Sequence, residues 1–118
     1  MRGYVDEYGQ PRAEISATGV RESITVDAII DTGFNGELCL PTQIAVQLGL
    51  ELSATQMAEL ADGTMQRELI FIGRGVFDGR ERRIEISLTG GQDALLGTGL
   101  LENKALEIDF PKRTVEIR

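Results

Sequence analysis

The chain has 118 residues, of which 42% are apolar and 26% are charged, and its formal net charge is −7. This length suits one compact domain with a modest core, so we expect a single domain spanning residues 1–118. An acidic surface argues against nucleic acid or an anionic membrane surface as the main partner. The N-terminal residues are polar and no apolar run approaches the length of a membrane span, so we expect no membrane insertion and a cytoplasmic location.

The residue inventory excludes several classes of catalyst. The chain has no histidine, which removes Ser–His and Cys–His nucleophile pairs and the usual zinc sites. Its one cysteine, Cys39, cannot form an intrachain disulfide, and the apolar residues around it indicate a buried packing role. We therefore expect no metal ion and no organic cofactor.

Alternating apolar residues occur along most of the chain and predict half-buried β-strands. In chain order the runs lie around Ile15 and Ala17, at Ile24–Ile30, at Ile84–Leu88, at Leu106–Phe110 and at Val115–Ile117. The last two runs flank residues 111–113 and are expected to form a terminal antiparallel pair.

Turn signals separate these runs. Asp62-Gly63 and Asp78-Gly79 predict tight hairpin turns, because both residue types tolerate positive φ. The segment 73–75, Gly-Arg-Gly, indicates a bulge or a kink.

Helix signals are few. Pro41 and Gly49 bound a predicted helix that carries Ile44 and Leu48, and a second, shorter helix is expected after Gly97. The predicted class is mostly β, a small closed barrel with one or two short helices.

The tripeptide Asp31-Thr32-Gly33 follows the apolar run that ends at Ile30, so it places a carboxylate where a strand gives way to a loop. By itself the tripeptide is more typical of an aspartate turn, in which the side chain accepts hydrogen bonds from nearby amides. Its context is more specific. A glycine-tipped hairpin follows at Asp62-Gly63, and a buried-looking strand, residues 94–97 (Ala-Leu-Leu-Gly), follows that hairpin.

This order of motifs, from about Ile15 to Ile117, resembles the retropepsin-like (retroviral-type) aspartic peptidases, particularly their small bacterial members. The resemblance implies a closed acid-protease barrel in which Asp31 is the catalytic carboxylate. It also implies that Thr32 directs its hydroxyl across a dimer axis and that Gly33 lets the backbone pass close to the site.

The resemblance also implies roles outside the tripeptide. Leu95, Leu96 and Gly97 would pack behind the Asp31 loop and support it. Residues Ala61, Asp62, Gly63 and Thr64 would lie at or near the tip of a flap that folds over substrate, although an ordinary solvent hairpin is an equal interpretation of that turn. Phe34 stands where retroviral enzymes usually have a small residue, and it could line a substrate pocket or fill core, of which core is the safer interpretation.

Peptide hydrolysis by carboxylates requires two acids, one to take a proton from water and one to hydrogen-bond the scissile carbonyl. No other aspartate of the chain is followed by Thr-Gly or Ser-Gly. The simplest arrangement is a two-fold homodimer that brings two Asp31 residues together. The sequence therefore predicts an aspartic endopeptidase whose partners are a second copy of the chain and a protein or peptide substrate.

Two alternatives stay open. One is a catalytically weak or silent domain of the same fold that acts as a dimerisation or peptide-binding module. Its support is Phe34 and the sequence Thr98-Gly99 after Gly97, where retroviral enzymes tend to have an arginine that ties their dimer together. The other is an unrelated small β-barrel, which predicts that Asp31 and Gly97 are far apart.

A short basic cluster, Arg80, Arg82 and Arg83, stands beside the Asp78-Gly79 turn. Such a cluster could bind an acidic partner. We interpret it instead as a solvated hairpin balanced by Glu81 and Glu85.

Overall fold

The chain folds into ten strands that form a single sheet, together with one α-helix and one short 3₁₀ helix, in a computed structural model that describes all 118 residues. The helices are α1 (Thr42–Leu48) and the 3₁₀ helix Thr98–Leu100. The strands are β1 (Arg2–Val5), β2 (Pro11–Thr18), β3 (Ser23–Ile30), β4 (Leu38–Pro41), β5 (Glu51–Glu59), β6 (Met65–Phe77), β7 (Arg80–Thr89), β8 (Leu95–Leu96), β9 (Leu106–Asp109) and β10 (Thr114–Ile117). The predicted mostly-β class is confirmed.

The sheet runs in the order β5-β6-β7-β4-β8-β3-β2-β1-β10-β9. One further pairing, between Thr18 and Arg74, joins β2 to β6. As a result β2, β3, β8, β4, β7 and β6 pair in a ring, and eighteen buried residues form one hydrophobic cluster. The terminal strands lie outside the ring, with β1 between β2 and β10.

The apolar periodicity of β3 determines which face it buries. Val26, Ala28 and Ile30 are all at most 8% exposed, and β2 contributes Ile15 and Ala17 to the same core. Burial of each large aliphatic side chain stabilises the fold by about 1.5–3 kcal/mol. The predicted strands of this region are therefore confirmed, and β3 delivers the chain to Asp31.

The two Asp-Gly turns differ in detail. Asp78 and Gly79 have φ of 53° and 74°, as a two-residue hairpin loop between β6 and β7 requires. At the other turn only Gly63 has a positive φ, of 85°, and its N–H donates to the carbonyl oxygen of Leu60 at 2.9 Å. The hairpin is confirmed there, but its loop is longer than the two-residue turn predicted.

The bulge that the sequence allows at residues 73–75 is absent, and the alternative of a kink stays a prediction. Strand β6 pairs with β7 in unbroken register from Phe71 to Phe77. The glycines instead permit close approach of β2, since a Cβ at Gly75 would lie 2.0 Å from the carbonyl oxygen of Ser16. The register shift of this hairpin lies in β5, between Leu52 and Ala54.

The predicted helix is confirmed at both ends. Pro41 is its N-cap, and Gly49 ends it in the left-handed conformation at φ 71°, with its N–H donating to the carbonyl oxygen of Ala45. Ala45 and Leu48 are its buried residues. The second helix expected after Gly97 is the 3₁₀ helix. Neither helix has the length and apolar character needed to cross a lipid bilayer.

The terminal antiparallel pair is also confirmed, as β9 and β10. Phe110 lies just beyond β9 and is 57% exposed, so it belongs to the turn and not to the strand as predicted. Strand β1 had no apolar alternation strong enough to predict it. It forms because its backbone pairs with β2 on one side and with β10 on the other.

Candidate active site

The segment Asp31–Phe34 is a tight loop at the end of β3. The Asp31 N–H donates to the carbonyl oxygen of Leu96 at 2.9 Å, and the Asp31 carbonyl accepts the N–H of Phe34 at 3.1 Å. The Asp31 Oδ1 accepts the N–H of Gly33 at 2.9 Å. The carboxylate is thus oriented by its own loop, in the aspartate turn that the sequence allows, while Asp31 remains partly exposed and Thr32 and Gly33 are exposed.

Strand β8 has only two residues, yet it lies between β3 and β4. Leu95 and Leu96 pair in parallel with Ile29 and Ile30, and on their other side they pair antiparallel with β4. Leu96 is fully buried. Because Ile30 directly precedes Asp31, this pairing fixes the position from which the Asp31 loop begins.

Gly97 and Thr98 hold the far side of the same loop. Gly97 N–H donates to the carbonyl oxygen of Glu37 at 2.8 Å, and Thr98 N–H donates to the carbonyl oxygen of Phe34 at 2.8 Å. A Cβ at Gly97 would lie 2.1 Å from the carbonyl oxygen of Gly36. The unrelated-barrel hypothesis predicted a wide separation between Asp31 and Gly97, and it is wrong.

An arginine anchors the segment that leads into β8. Arg12 donates from Nε to Asp6 Oδ2 at 2.7 Å and from a terminal nitrogen to Asp93 Oδ1 at 3.2 Å. It also donates to the carbonyl oxygen of Asp27 in β3 at 3.1 Å. The hydrogen bond from Arg12, followed by the backbone N–H of Gln10, lowers the pKa of Asp6. One cation therefore ties β2, β3 and the start of the β8 segment together.

The hairpin formed by β5 and β6 ends in an ordered tip. Asp62 Oδ1 accepts the Thr64 hydroxyl at 2.6 Å and the Thr64 N–H at 2.9 Å, and these bonds lower the pKa of Asp62. Ala61, Asp62, Gly63 and Thr64 are all exposed. Within a single chain they line no part of the cleft described next.

A cleft of about 520 Å³ separates the loop that follows Asp31 from the body of this hairpin. Its loop wall is Gly33–Leu38, and its other walls are Gln56–Glu59, Glu68, Ile70, Glu85 and Ser87. Phe34 is half-buried. It lines the cleft, and its ring also packs over Gly36 and Gly97. The expectation that it simply fills core is therefore incomplete.

The strand residues of the cleft were not identified from the sequence. The alternation in β7 does place Glu85 and Ser87 on the face opposite Ile84 and Ile86, but no sequence signal shows that this face borders a cleft. The register of the hairpin, which brings Glu68 opposite Gln56, is set by its turn and its bulge.

The basic cluster is only partly a solvated hairpin. Arg82 pairs with Glu37, which lies in the loop between β3 and β4, and Glu37 Oε1 also accepts the Glu85 N–H at 2.7 Å. Arg74, which lies outside the cluster, pairs with Glu81 at 2.9 Å. The predicted balance of the arginines by Glu81 and Glu85 is wrong, because Arg82 pairs with Glu37 and so ties β7 to the loop that follows Asp31.

At the level of sequence, no protein-family model and no curated protein matches this chain. Solved structures do match. The crystal structure of a retropepsin-like aspartic protease from Rickettsia conorii superposes with a TM-score of 0.67 at 20% identity, covering 98% of this chain and 86% of that one.

Two viral proteases are also similar. The solution structure of the Simian Foamy Virus (mac) protease has a TM-score of 0.57 at 15% identity, covering 77% of this chain and 91% of that one. The EIAV protease, complexed with an inhibitor, has a TM-score of 0.58 at 13% identity, covering 83% and 90% of the two chains. At such low identities each likeness is one of fold.

Proposed function

Because the chain has the retropepsin-like fold and presents Asp31 at its strand-end loop, we propose that it is an aspartic endopeptidase active as a homodimer. The observation that carries the proposal is the hydrogen bond from Asp31 N–H to Leu96, with Gly97 and Thr98 bonded to the other side of the loop. In this arrangement a strand-end carboxylate is held on a rigid support, as catalytic groups must be.

In the proposed mechanism two Asp31 carboxylates, one from each subunit, share a single proton, since two adjacent carboxylates do not both ionise readily. The ionised partner takes a proton from water, and the protonated partner donates a hydrogen bond to the scissile carbonyl. The titration then belongs to the pair and not to either residue. A single chain supplies one such aspartate, so dimerisation is part of the mechanism.

Exposure supports the dimer. Thr32 and Gly33 are exposed and Asp31 is partly exposed in the single chain, so the loop is accessible to a second copy. We assign Thr32 to the contact across the dimer axis. Gly33 permits the close approach of the backbone at that axis.

We assign roles in the proposed peptidase to the remaining parts of the fold. Residues 1–118 act as one domain, the ring of paired strands is its closed barrel, and Leu95, Leu96 and Gly97 support the catalytic loop. The tip Ala61–Thr64 acts as a flap that closes over peptide bound at the shared site and excludes water. We assign the protein to the cytoplasm, on the basis of its sequence composition alone.

A second candidate is a catalytically silent module of the same fold that binds peptides or dimerises. Two observations favour it: the Asp31 carboxylate already accepts a hydrogen bond within its own loop, and the bulky Phe34 follows the Asp31–Gly33 tripeptide. This candidate predicts peptide binding without turnover, and equal behaviour of the parent chain and an Asp31→Asn variant.

The test compares the parent with Asp31→Asn on a mixture of denatured-protein peptides from acidic to neutral pH, with products identified by mass spectrometry. We expect cleavage by the parent, inhibition by a pepstatin-type inhibitor and loss of cleavage in the variant. The variant keeps the side-chain volume, so circular dichroism serves to show that its fold is intact. Cleavage by Asp31→Asn at the parental rate would refute the proposal.

A further inference from the structure

The walls of the cleft beside the Asp31 loop are strongly acidic. Four glutamates line it, and no lysine or arginine does. Glu37 is neutralised by Arg82, but Glu59, Glu68 and Glu85 belong to no ion pair. The one side-chain hydrogen bond among these three is to Glu68, which accepts from Gln56 Nε2 at 3.0 Å. The cleft therefore carries uncompensated negative charge from three carboxylates.

An independent feature points to a ligand in the same cleft. Ser87 lines it and is only 4% exposed, yet its hydroxyl oxygen has no nitrogen or oxygen atom as a hydrogen-bond partner. Ser87 lies on the same face of β7 as Glu85, so its side chain is on the side of the strand that borders the cleft. Its polar neighbour on the adjacent strand is the Cys39 thiol, whose pKa is raised by burial, with a weaker opposing effect from Ser87. A thiol is a weak hydrogen-bond partner, so a ligand group that reached the hydroxyl would satisfy it better.

The remaining wall is apolar. Phe34, Leu38, Met57, Ala58 and Ile70 complete the lining. Apolar walls with carboxylates among them complement a long basic side chain, whose methylene stem packs against apolar surface while its charged head reaches the carboxylates. A guanidinium offers several N–H donors at once, which suits separate carboxylate and hydroxyl acceptors.

A metal ion is a poorer occupant of this cleft. A divalent cation requires several oxygen ligands gathered around one point, at about 2.0–2.6 Å from the ion. No group of three or more acidic side chains in the structure is close enough together to hold one. The carboxylates are dispersed around the cleft and so suit an extended organic cation.

We propose that this cleft is a specificity pocket that takes an arginine or lysine side chain of a peptide substrate. The proposal rests on the proposed peptidase function and adds to it the class of substrate. Glu59, Glu68 and Glu85 supply the charge, the Ser87 hydroxyl supplies a further acceptor, and Phe34 packs against the side-chain stem.

The first measurement is of binding and does not depend on catalysis. Labelled peptide sets of random sequence, with one position fixed as Arg, Lys, Leu or Glu, are titrated into full-length Asp31→Asn protein and followed by fluorescence anisotropy. We expect the Arg and Lys sets to bind about tenfold more tightly than the Glu set, with a preference that declines as ionic strength rises.

Charge-removing variants then assign the preference to the cleft. Glu68→Gln with Glu85→Gln, placed on the Asp31→Asn background, should reduce the preference to about twofold or less. The matched control removes the same charge elsewhere, as Glu22→Gln with Glu102→Gln, two exposed residues outside the cleft, and should keep the full preference. Ser87→Ala should weaken the binding of the Arg set more than that of the Leu set.

Tighter binding of the Leu set, or a basic preference that survives Glu68→Gln with Glu85→Gln, would overturn the proposal. The second measurement compares the rates at which the parent chain, which retains Asp31, cleaves the same four peptide sets. Cleavage without any preference for basic residues would refute the pocket and leave the peptidase function standing. Cleft-dependent binding of basic peptides without cleavage would instead support the pocket and refute the peptidase function.

Discussion

The backbone around the Asp31 loop is packed so closely that Gly97 has no space for a side chain. A Cβ at this position would lie 2.1 Å from the carbonyl oxygen of Gly36 and 2.8 Å from that of Phe34. Both neighbours are backbone atoms, which cannot rotate away. Gly97→Ala should therefore lower the free energy of unfolding by about 3 kcal/mol, as overpacking against a rigid neighbour does.

Gly90→Ala is the matched control, because a Cβ at Gly90 meets no atom within 4 Å. This variant should change the free energy of unfolding by less than about 0.5 kcal/mol. Urea denaturation of the two variants and the parent provides the comparison. Equal stability of the two alanine variants would show that the loop is not packed as described.

The residues of the site differ in how far the sequence reveals them. The juxtaposition of Asp31 with Leu96 and Gly97 was implied by the resemblance to retropepsin-like peptidases, which the order of short motifs carries. Glu68 and Ser87 gave no such signal. Their place in the cleft depends on cross-strand register and on which face of β7 meets the hairpin, and alternation along one strand does not determine either.

Among the elements of the fold, strand β5 of the β5–β6 hairpin buries little of its surface. Strand β5 is an edge strand that pairs only with β6, and all seven residues from Glu51 to Met57 are exposed. Elements with little buried surface open at low free-energy cost.

Hydrogen exchange should therefore be faster for backbone amides of β5 than for those of β2 and β3, and a bound peptide should slow it. Mass spectrometry of peptic fragments measures both effects. Protection of β5 equal to that of β3 in the free protein, or no change on peptide binding, would contradict the proposed role of this hairpin as a flap.

The β1–β2 turn contributes a pH-dependent anchor. Hydrogen bonds from Arg12 and from the Gln10 N–H lower the pKa of Asp6. A lowered pKa means that the stabilisation is present above the unfolded-state pKa of about 3.9 and is lost as the pH falls through the folded-state value.

Asp6→Asn should accordingly lower the melting temperature at neutral pH, and the gap from the parent should close as the pH is lowered below about 4. Thermal unfolding followed by circular dichroism across a pH series measures this. A gap that is constant with pH would show that the charge of Asp6 is not what stabilises the turn.

Elements with strong local signals were predicted well. Helix α1 carries its own start and stop in Pro41 and Gly49, and the β6–β7 turn carries Asp78-Gly79. Strand β1 has no such signal, because tertiary pairing creates it. The glycines at 73 and 75 likewise reflect tertiary structure, since they permit the close approach of β2, which the sequence alone does not reveal.

For the whole molecule the central question is assembly. Each chain supplies one Asp31-Thr32-Gly33, so the proposed site exists only in a dimer. The order of short motifs along the chain is enough to indicate the retropepsin-like fold. The contacts across the two-fold axis could not be derived from one sequence, since such contacts depend on surface shape.

Dimer dependence predicts that specific activity rises with protein concentration over the same range in which sedimentation velocity shows monomer converting to dimer. The two curves should coincide, because the monomer lacks one of the two carboxylates. Constant specific activity through that range would place the whole active site within one chain.

The most direct test of the shared site is a mixing experiment. Parent and Asp31→Asn chains are combined in varying ratio at constant total concentration, allowed to exchange subunits, and assayed for peptide cleavage. If each site needs both Asp31 carboxylates, activity should follow the square of the parental fraction and fall to about one quarter in an equal mixture. A linear fall, to about one half in the equal mixture, would contradict a catalytic site formed by two Asp31 residues.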